Sequence, residues 1–304
     1  MNAKPRACLI DASIYIFRAW FSLPDRWHSP EGWPLNAVYG YSNFLLEFFQ
    51  GEGELPYCAA AFDESLGSCF RNDIYPAYKA SRELPDEALA LQLQSCREIT
   101  ERLGIPSFGC SRYEADDYLA SLARLLRGAG VPVTIVTRDK DLGQLLIADG
   151  DRWWDFAAGV SLDAPAFAQK FGVEPSQFAD YLALVGDPVD DIPGVPGVGA
   201  KTSARLLQYF GNLDTLERDL HKVAELDIRG AARVQERIRE HWPQVQLSRQ
   251  LTGLEERVPG VDVLPAFSLE SDALMGASDY LSELGIDGPL PGRFRRLARE
   301  LEVA

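Results

Sequence analysis

The amino-acid sequence predicts an α/β fold with a mostly parallel sheet, followed by a separate helical lobe. Short apolar runs of strand length occur at residues 7–10, 58–62 and 133–137, and amphipathic stretches with helical periodicity occur at 38–49 and 117–127. From residue 186 onward, helical segments are joined by glycine-rich turns. Strands that alternate with helices form parallel sheets, because each crossover helix returns the chain to the same end of the sheet.

The remaining segments complete the predicted organisation. Residues 1–174 form the α/β core domain, in which an insertion at about 70–104 lies over the sheet edge and 152–156 form a possible edge strand. Residues 175–258 form the helical lobe, which begins with a helix at 175–185 and has its clearest helices at 200–209 and 229–241. The segment 259–304, with a terminal helix at 293–301, is expected to contribute packing only.

Composition excludes several classes of protein. The chain has 304 residues, 46% of them hydrophobic and 25% charged, which is typical of a globular protein with a sizeable core. Five scattered cysteines without a C-x-x-C pair and three isolated histidines argue against a disulfide framework and against a zinc site. Residues 1–6 lack an apolar signal core, so we expect a soluble cytoplasmic protein with no membrane partner.

The net charge of −15 argues at first against a nucleic-acid partner, because phosphates are normally bound by a basic face. Net charge is misleading, however, if many of the acids are collected in one metal-binding pocket. Cations would neutralise such a pocket locally, and a few basic residues at its rim would still attract a phosphate backbone. The positions of the acids therefore decide the interpretation.

Acidic residues follow three of the predicted strands. Asp11 comes directly after the first apolar run, Asp63 after the second, and Asp139 two residues after the third. Open α/β sheets place their ligand sites at the carboxyl ends of the strands. We therefore expect these acids to meet in one crevice.

Further acids occur in groups. Glu114, Asp116 and Asp117 open a helix, and the pairs Asp139/Asp141 and Asp187/Asp190 follow predicted strand or helix ends. Each group alone is compatible with ordinary helix starts and capped turns, where acids are common. Together they would repel one another unless cations lay among them, and oxygen ligands are those that Mg²⁺ and Mn²⁺ require. Two such ions can catalyse phosphodiester hydrolysis without His or Cys ligands.

A glycine-rich hairpin at residues 192–202 leads directly into a helix. Its glycines expose backbone amides at a helix N-terminus, an arrangement that binds phosphates without reading bases. An ordinary interhelical turn is the alternative, but three glycines and two prolines followed by Lys-Thr favour phosphate contact. The predicted DNA-binding residues here are Gly194, Gly197, Gly199, Lys201, Thr202 and Arg205.

Basic and aromatic residues alternate in the segment 70–82, close in sequence to Asp63. Cationic grooves with aromatic platforms bind single strands, so Arg71, Lys79 and Arg82 are expected to steer the scissile phosphate onto the metals. Tyr75 is expected to stack on a base, although burial is an equal alternative. A solvated charged loop is the alternative for the whole segment.

These motifs resemble those of the 5′-nuclease (flap endonuclease) family, in particular the bacterial 5′-3′ exonucleases that stand alone or form the N-terminal domain of DNA polymerase I. The resemblance covers residues 9 to about 254. It rests on Leu9-Ile10-Asp11, Asn36-Ala37-Val38-Tyr39-Gly40, Ala61-Phe62-Asp63, Phe70-Arg71 with Tyr75-Pro76 and Tyr78-Lys79 through Arg82, Tyr113-Glu114-Ala115-Asp116-Asp117, Asp139-Lys140-Asp141-Leu142, and residues 181–187 through Ile192-Pro193-Gly194.

The resemblance implies a PIN-like nuclease core with a helical arch or clamp, and a helix-three-turn-helix lobe that binds duplex DNA, often with K⁺ at its hairpin. It also implies two Mg²⁺ or Mn²⁺ ions. Asp11, Asp63, Glu114 and Asp116 would surround the first ion, and Asp117, Asp139, Asp141, Asp187 and Asp190 would complete the second. Because no polymerase domain follows, the chain resembles the stand-alone form, expected as a monomer.

Three positions depart from the family pattern: Arg138 replaces a usual Gly, Asp191 a usual Asn, and Ala12 a common Gly. The implied activity is metal-dependent hydrolysis of DNA near 5′ single-strand/double-strand junctions, on flaps, overhangs or gapped duplex, with RNA primer strands as a further substrate. Two rival interpretations are a non-catalytic DNA-binding scaffold and a PIN-like ribonuclease. The glycine-rich hairpin favours a lobe that grips duplex DNA over the ribonuclease.

Overall fold

A computed structural model describes residues 6–52, 54–65 and 67–303. Residues 1–5, most of the N-terminal stretch on which the expected cytoplasmic location depended, lie outside these ranges. Within the described ranges, the centre of the protein is a six-stranded sheet in the order β3-β2-β1-β4-β5-β6. The strands are β1 (Ala7–Asp11), β2 (Tyr57–Ala61), β3 (Ser107–Phe108), β4 (Val133–Val136), β5 (Arg152–Asp155) and β6 (Val160–Leu162).

The predicted mostly parallel α/β sheet is confirmed. β1 pairs in parallel with both β2 and β4, and these strands pair in parallel with β3 and β5. β1 is buried along its whole length, which explains why its sequence is an apolar run and not an alternating pattern. The prediction that residues 152–156 form an edge strand was wrong in one respect: β6 pairs antiparallel with the outer side of β5 and forms the edge. β6 is only three residues long, too short to show a pattern.

Helices flank the sheet on both faces. They are α1 (Ala12–Ser22), α2 (Asn36–Gly51), α3 (Phe70–Ile74), α4 (Glu87–Arg102), α5 (Ala115–Gly128) and α6 (Ala164–Phe171). The predicted helices at 38–49 and 117–127 are thus parts of α2 and α5. α1 begins immediately after β1 because the Asp11 side chain accepts a hydrogen bond from the Ile14 amide and caps the helix.

The segment predicted as an insertion contains a core helix. α4 buries Cys96 and Ile99 in the same apolar cluster as α2. Residues 75–86, between α3 and α4, form neither a helix nor a strand, and we call them the strap. Cys8 and Cys58 are buried free thiols in this core, as their apolar surroundings predicted.

The remaining helices form the helical lobe and the C-terminal segment. They are α7 (Phe178–Val185), α8 (Ala200–Phe210), α9 (Leu213–Arg218), α10 (Ala231–Glu240), α11 (Trp242–Thr252), α12 (Ser271–Glu283) and α13 (Pro289–Val303). The helix predicted at 175–185 is divided into a 3-10 turn, Pro175–Gln177, and α7. Leu274 of α12 and Phe294 of α13 are buried in the core beside α2 and α4. None of the helices in the described residues is both long and apolar enough to cross a membrane.

A close contact between Gly143 and Phe167 joins α6 to the turn that follows β4. Gly143 lies in the 3-10 helix Asp141–Leu145, and a Cβ atom at this position would lie 2.0 Å from the Phe167 ring. Phe167 is fully buried in the core of the helical lobe. The absence of a side chain at Gly143 therefore allows this ring to close the junction.

We predict that Gly143→Ala destabilises the fold by about 1–3 kcal/mol, because the added methyl group must displace a fully packed ring. The free energy of unfolding in urea measures the effect. Gly128→Ala is the matched control, because a Cβ atom at Gly128, at the end of α5, meets no atom within 4 Å. Equal stability of the two variants would show that Phe167 moves without cost.

Candidate active site

The carboxyl ends of three adjacent strands bring acidic residues together. Asp11 is the last residue of β1, Asp63 follows β2 by two residues, and Asp139 follows β4 by three. Because β1 lies between β2 and β4 and pairs in parallel with both, the three acids lie at the same edge of the sheet. The expected convergence of strand-end acids is therefore seen in the structure.

Hydrogen bonds hold part of this acidic cluster in place. The Thr137 hydroxyl donates to Asp11 Oδ2 over 2.8 Å and accepts a hydrogen bond from the Asp139 amide over 2.9 Å. The Asp141 amide in turn donates to Asp139 Oδ1 over 2.8 Å. These bonds connect β1 to the turn after β4 and fix the directions in which Asp11 and Asp139 point.

The pKa values of these acids show that they act on one another. Burial, and to a smaller extent the charges of Asp139 and Asp63, raise the pKa of Asp11 to about 7. Burial and the charge of Asp139 likewise raise the pKa of Asp141 to about 7. The pKa of Asp116 is raised well above its usual value by burial and then by Asp139 and Asp11. The cluster thus disfavours its own ionisation in the absence of cations.

Four acids of the cluster lack a basic partner. In the part of the chain that the structure describes, no Lys or Arg nitrogen lies within 4.0 Å of a carboxylate oxygen of Asp11, Asp63, Asp116 or Asp139. The other acids of the site do have such partners. Asp141 and Asp187 are 3.1 and 3.2 Å from Lys140 Nζ, and Glu114 and Asp190 pair with Lys79.

The nine acids that were expected to hold metal thus fall into two groups, those with a basic partner and those without one. Across residues 6–52, 54–65 and 67–303, no three of the acidic, His or Cys side chains are grouped as a ready metal site. One oxygen of Asp141 is nevertheless buried and receives no hydrogen bond, although Lys140 is close to it. The expected ligand set therefore stays a prediction, with Asp11, Asp63, Asp116 and Asp139 as the acids best suited to a cation.

The Arg71 side chain is not free to contact a phosphate, as its sequence position had suggested it would be. Its side chain is buried, and all five of its N–H donors are used. They bond to the carboxylates of Glu114 and Asp117 over 2.7–2.8 Å and to the carbonyl oxygens of Leu251 and Gly253. Arg71 therefore has no donor left for a phosphate, and the expectation that it steers the substrate directly is corrected.

Asp117 is also turned away from the expected metal site. Its two oxygens accept hydrogen bonds from Arg71 and from the amides of Glu114 and Glu255, and the side chain is fully buried. These bonds cap α5 and join it to the end of the helical lobe. The expectation that Asp117 binds the second metal is corrected, because its lone pairs are already occupied.

Lys79 and Arg82 of the strap pair with acids of the site, and their expected role in steering a phosphate stays a prediction. Lys79 pairs with Glu114 and lies 3.7 Å from Asp190, and Arg82 also pairs with Asp190. Burial opposes ionisation of Glu114, but the charges of Lys79 and Arg71 outweigh it and hold the Glu114 pKa below its usual value. Both basic side chains therefore stay charged at the entrance to the cluster, where a phosphate would arrive.

A cleft of about 900 Å³ leads from this cluster to an aromatic wall on α1. Asp63, Lys79 and Glu114 line its polar side, and Phe17, Trp20, Phe21 and Leu84 line its apolar side. Phe21 is 80% exposed, which is unusual for so large an apolar side chain. Sequence reasoning missed this wall. The spacing of Phe17 and Phe21, four residues apart on one helix face, was the signal available.

Tyr75 lies at the base of the strap and not in this cleft. It is half-buried and packs against a small apolar cluster of Cys69, Tyr78, Ile192 and Leu251. Its expected stacking on a base stays a prediction. Of the departures from the family pattern, Arg138 donates to Asp155 over 3.1 Å, which turns its guanidinium toward β5.

The glycine-rich hairpin is closely packed against the end of α7, and its expected phosphate contact stays a prediction. A Cβ atom at Gly194 would lie 2.0 Å from the Val185 carbonyl oxygen, and Gly197 has a φ of +75°. α8 begins at Ala200, directly after Gly199, so Lys201, Thr202 and Arg205 lie in its first two turns. The first amides of a helix have no intrahelical acceptor and are therefore available to a phosphate.

One basic residue near the hairpin was missed. Arg237 of α10 lies against the hairpin, since a Cβ atom at Gly197 would be 1.6 Å from Arg237 Nη1. Among the described residues no carboxylate lies within 4.0 Å of it, whereas Arg239 on the same helix pairs with Glu236. No sequence signal distinguished Arg237, because it is separated from the hairpin by about 40 residues of chain.

Two family models cover most of the chain. The model described as "5′-3′ exonuclease, N-terminal resolvase-like domain" matches residues 6–172, and the model "5′-3′ exonuclease, C-terminal SAM fold" matches residues 173–273. The DNA polymerase I of Pseudomonas aeruginosa is 39% identical over 252 residues, which are 82% of this chain and 27% of that protein. The chain thus spans about a quarter of the length of such relatives.

Solved structures show the same fold. A T5 5′-exonuclease structure with bound divalent metal ions (zinc) has a TM-score of 0.64 at 17% identity, covering 97% of this chain and 98% of that one. The catalytic core of Rad2 in complex with DNA substrate has a TM-score of 0.64 at 16% identity, covering 98% and 92%. The predicted combination of a nuclease-type α/β core and a helical lobe is confirmed, and the chain belongs to the 5′-3′ exonuclease family.

Proposed function

We propose that this chain is a structure-directed 5′-nuclease that hydrolyses DNA phosphodiesters near junctions between single and double strands. The observation that supports it best is the group of four acids, Asp11, Asp63, Asp116 and Asp139, without a basic partner in the described residues. One of these acids, Asp63, lines an aromatic-walled cleft together with the basic residues Lys79 and Arg82. Membership of the 5′-3′ exonuclease family makes DNA the expected substrate.

The four acids suit a divalent cation chemically. They offer only oxygen ligands, which are the ligands that Mg²⁺ and Mn²⁺ prefer. Burial, and then the charges of neighbouring carboxylates, raise the pKa values of Asp11, Asp116 and Asp139, so a bound cation would favour their ionised forms. A structural neighbour, the T5 5′-exonuclease, has been solved with divalent zinc ions. When bound, one or two such ions would activate the attacking water and stabilise the leaving oxygen.

The chain's own basic residues would orient the substrate. Lys79 and Arg82 stay charged, and Glu114 and Asp190 hold them at the edge of the acidic cluster. The oxygens of a phosphate that enters the cleft can replace Glu114 and Asp190 as partners of Lys79 and Arg82. This exchange would bring the scissile bond next to Asp63 and Asp139. Arg71 would contribute indirectly by holding Glu114 and Asp117 in fixed positions.

The hairpin and α8 would bind the duplex part of the substrate. Lys201 and Arg205 are exposed at the start of α8, and Arg237 adds a third basic residue beside Gly197. Contacts of this kind are made to phosphates and carry no sequence information. Binding would therefore depend on the shape of the junction and not on its bases. A K⁺ ion at the hairpin, RNA primer strands as substrate and a monomeric state stay predictions from the family resemblance.

The rival interpretations differ in measurable ways. A non-catalytic scaffold would bind a labelled 5′-flap duplex without cleaving it in the presence of Mg²⁺. A ribonuclease would prefer an RNA flap to a DNA flap of the same sequence. We expect the DNA flap to be cleaved in Mg²⁺ and not in the presence of a chelator. Comparing the DNA flap and the RNA flap, each with Mg²⁺ and with chelator, separates the three functions.

Replacing Asp139 by Asn should abolish most cleavage, with a loss of about 100-fold or more, because the amide removes a charge needed to hold the cation but keeps the side-chain shape. Single-turnover cleavage of a 5′-flap duplex in Mg²⁺ measures the effect, and filter binding in Ca²⁺ tests whether affinity for the duplex is kept. Asp272→Asn, at an exposed acid of α12, is the control. Full activity of the Asp139 variant would contradict the proposed role.

The raised pKa of Asp141 predicts how metal-free stability depends on pH. In the folded protein this pKa is about 7, above its ordinary value of 3.8, so the folded state binds the proton more tightly. The stability that the protonated group contributes is present at low pH and is lost as the pH rises toward the folded pKa. We therefore expect Asp141→Asn, in chelator, to resemble the parent near pH 4 and to be more stable at about pH 8.

Denaturant unfolding at the two pH values measures this difference. Added Mg²⁺ should reduce the advantage of Asp141→Asn at high pH, because the cation stabilises the ionised parent. Asp149→Asn is a control at an exposed acid of the same region. An advantage of the Asp141 variant that does not change with pH would contradict the shifted pKa.

Arg237→Gln should weaken binding to duplex DNA. It should also reduce the slope of log affinity against log salt concentration by about one, which corresponds to one lost phosphate contact. The dissociation constant is measured as a function of KCl concentration on a flap duplex. Arg239→Gln is the matched control, since Arg239 lies two residues away on α10 and is already paired with Glu236. If both variants show the salt slope of the parent protein, Arg237 does not contact a phosphate.

A further inference from the structure

Two residues other than glycine adopt a left-handed backbone conformation in the described chain, and they belong to segments that touch. Lys79 in the strap has a φ of +53°, and Asp191 in the turn Asp187–Ile192 of the helical lobe has a φ of +55°. This conformation is unfavourable for a residue that has a Cβ atom, so its surroundings must stabilise it. The two occurrences at one junction indicate that the junction holds a specific geometry.

Hydrogen bonds connect the two segments directly. The Lys79 amide donates to the Asp190 carbonyl oxygen over 3.0 Å, and the Ser81 amide donates to Asp191 Oδ2 over 2.8 Å. The turn itself is closed by two bonds between Asp187 and Ile192, of 2.9 and 2.8 Å. The strap is therefore attached to a rigid turn on both sides of Lys79.

Apolar packing supports this junction from below. Tyr78 and Ile192 are both buried in the cluster that includes Cys69 and Leu251. Because Tyr78 and Lys79 are adjacent, burial of the tyrosine ring and the left-handed turn at Lys79 together direct the ammonium group toward Glu114. The Lys79 side chain is only 16% exposed, so the position of its backbone decides where the charge lies.

We propose that Asp191 is a positioning residue for Lys79. Its carboxylate accepts the Ser81 amide and so holds the strap in the left-handed conformation that points Lys79 into the acidic cluster. This inference rests on the proposed function for its effect on cleavage, but the placement of Lys79 is independent of it. Asn has the same acceptor geometry and tolerates the same backbone conformation, which explains how either residue can serve at this position.

Three substitutions separate the hydrogen bond from the backbone conformation. Asp191→Asn keeps both, Asp191→Gly keeps the left-handed conformation but removes the acceptor, and Asp191→Ala removes both. The first measurement is single-turnover cleavage of a 5′-flap duplex in Mg²⁺, with duplex affinity measured in Ca²⁺. We expect Asp191→Asn to cleave like the parent, and the Gly and Ala variants to lose about 10- to 100-fold in rate with nearly unchanged affinity.

The second measurement does not depend on activity. Reductive methylation of the metal-free protein, followed by peptide mass spectrometry, reports how accessible Lys79 is relative to Lys201, which is exposed in the parent. We expect Lys79 to be modified several-fold faster in the Gly and Ala variants and at the parental rate in the Asn variant. Thermal unfolding verifies that each variant is folded, and Asp191→Asn provides the rescue.

The outcomes are distinguishable. If the parent protein fails to cleave DNA, the proposed function fails, while the methylation rates still test the placement of Lys79. Parental methylation rates at Lys79 in folded Asp191→Gly would overturn the inference. The same conclusion follows if Asp191→Asn is as defective as Asp191→Gly, because the hydrogen-bond acceptor would then not be the feature that matters.

Discussion

Repulsion between carboxylates at the carboxyl end of the sheet is the constraint on which the rest of the site depends. Parallel pairing of β1 with β2 and β4 forces Asp11, Asp63 and Asp139 toward one edge. Burial then raises the free energy of the ionised forms of Asp11 and Asp139, as their raised pKa values show. A fold that keeps these carboxylates together needs positive charge nearby, and the surrounding basic residues supply part of it.

Basic side chains offset the acidic charges in two different ways. Arg71 is buried and saturated, and it offsets the charges of Glu114 and Asp117 at the start of α5 as a permanent part of the structure. Removing one member of such a buried group would leave an uncompensated charge, which is why the group behaves as a unit. Lys79, Lys140 and Arg82 are more exposed, and their pairs with Glu114, Asp187 and Asp190 can be exchanged for other partners. Two kinds of ion pair, one buried and one more exposed, thus surround the four acids that have no basic partner among the described residues.

The site also joins the two parts of the chain that the family models treat separately. Asp11, Asp63, Asp116 and Asp139 come from the part matched by the N-terminal model, whereas Asp187 and Asp190 come from the part matched by the C-terminal model. The turn Asp187–Ile192 bonds to the strap on one side and continues into the hairpin at Gly194 on the other. One short segment therefore connects the acidic cluster, the strap and the proposed duplex-binding surface, so that their relative positions are set together.

Local sequence patterns were sufficient to predict the parallel α/β core, the acids at the strand ends, the basic strap and the glycine hairpin, because these features depend on apolar runs, turn residues and residues that follow a strand. Which of those residues face the cleft depends on the packing of distant segments. Asp116 and Asp117 are neighbours in sequence, but one faces Asp11 and Asp139 while the other is bonded to Arg71. Arg71 and Lys79 share one basic segment, yet only Lys79 keeps exchangeable partners. Arg237 was found only in three dimensions, and the spacing of Phe17 and Phe21 on α1 could not show by itself that these rings line the cleft. The physical reason is that hydrogen-bond saturation and burial depend on contacts between distant segments, such as Arg71 with Leu251, and no local pattern encodes them.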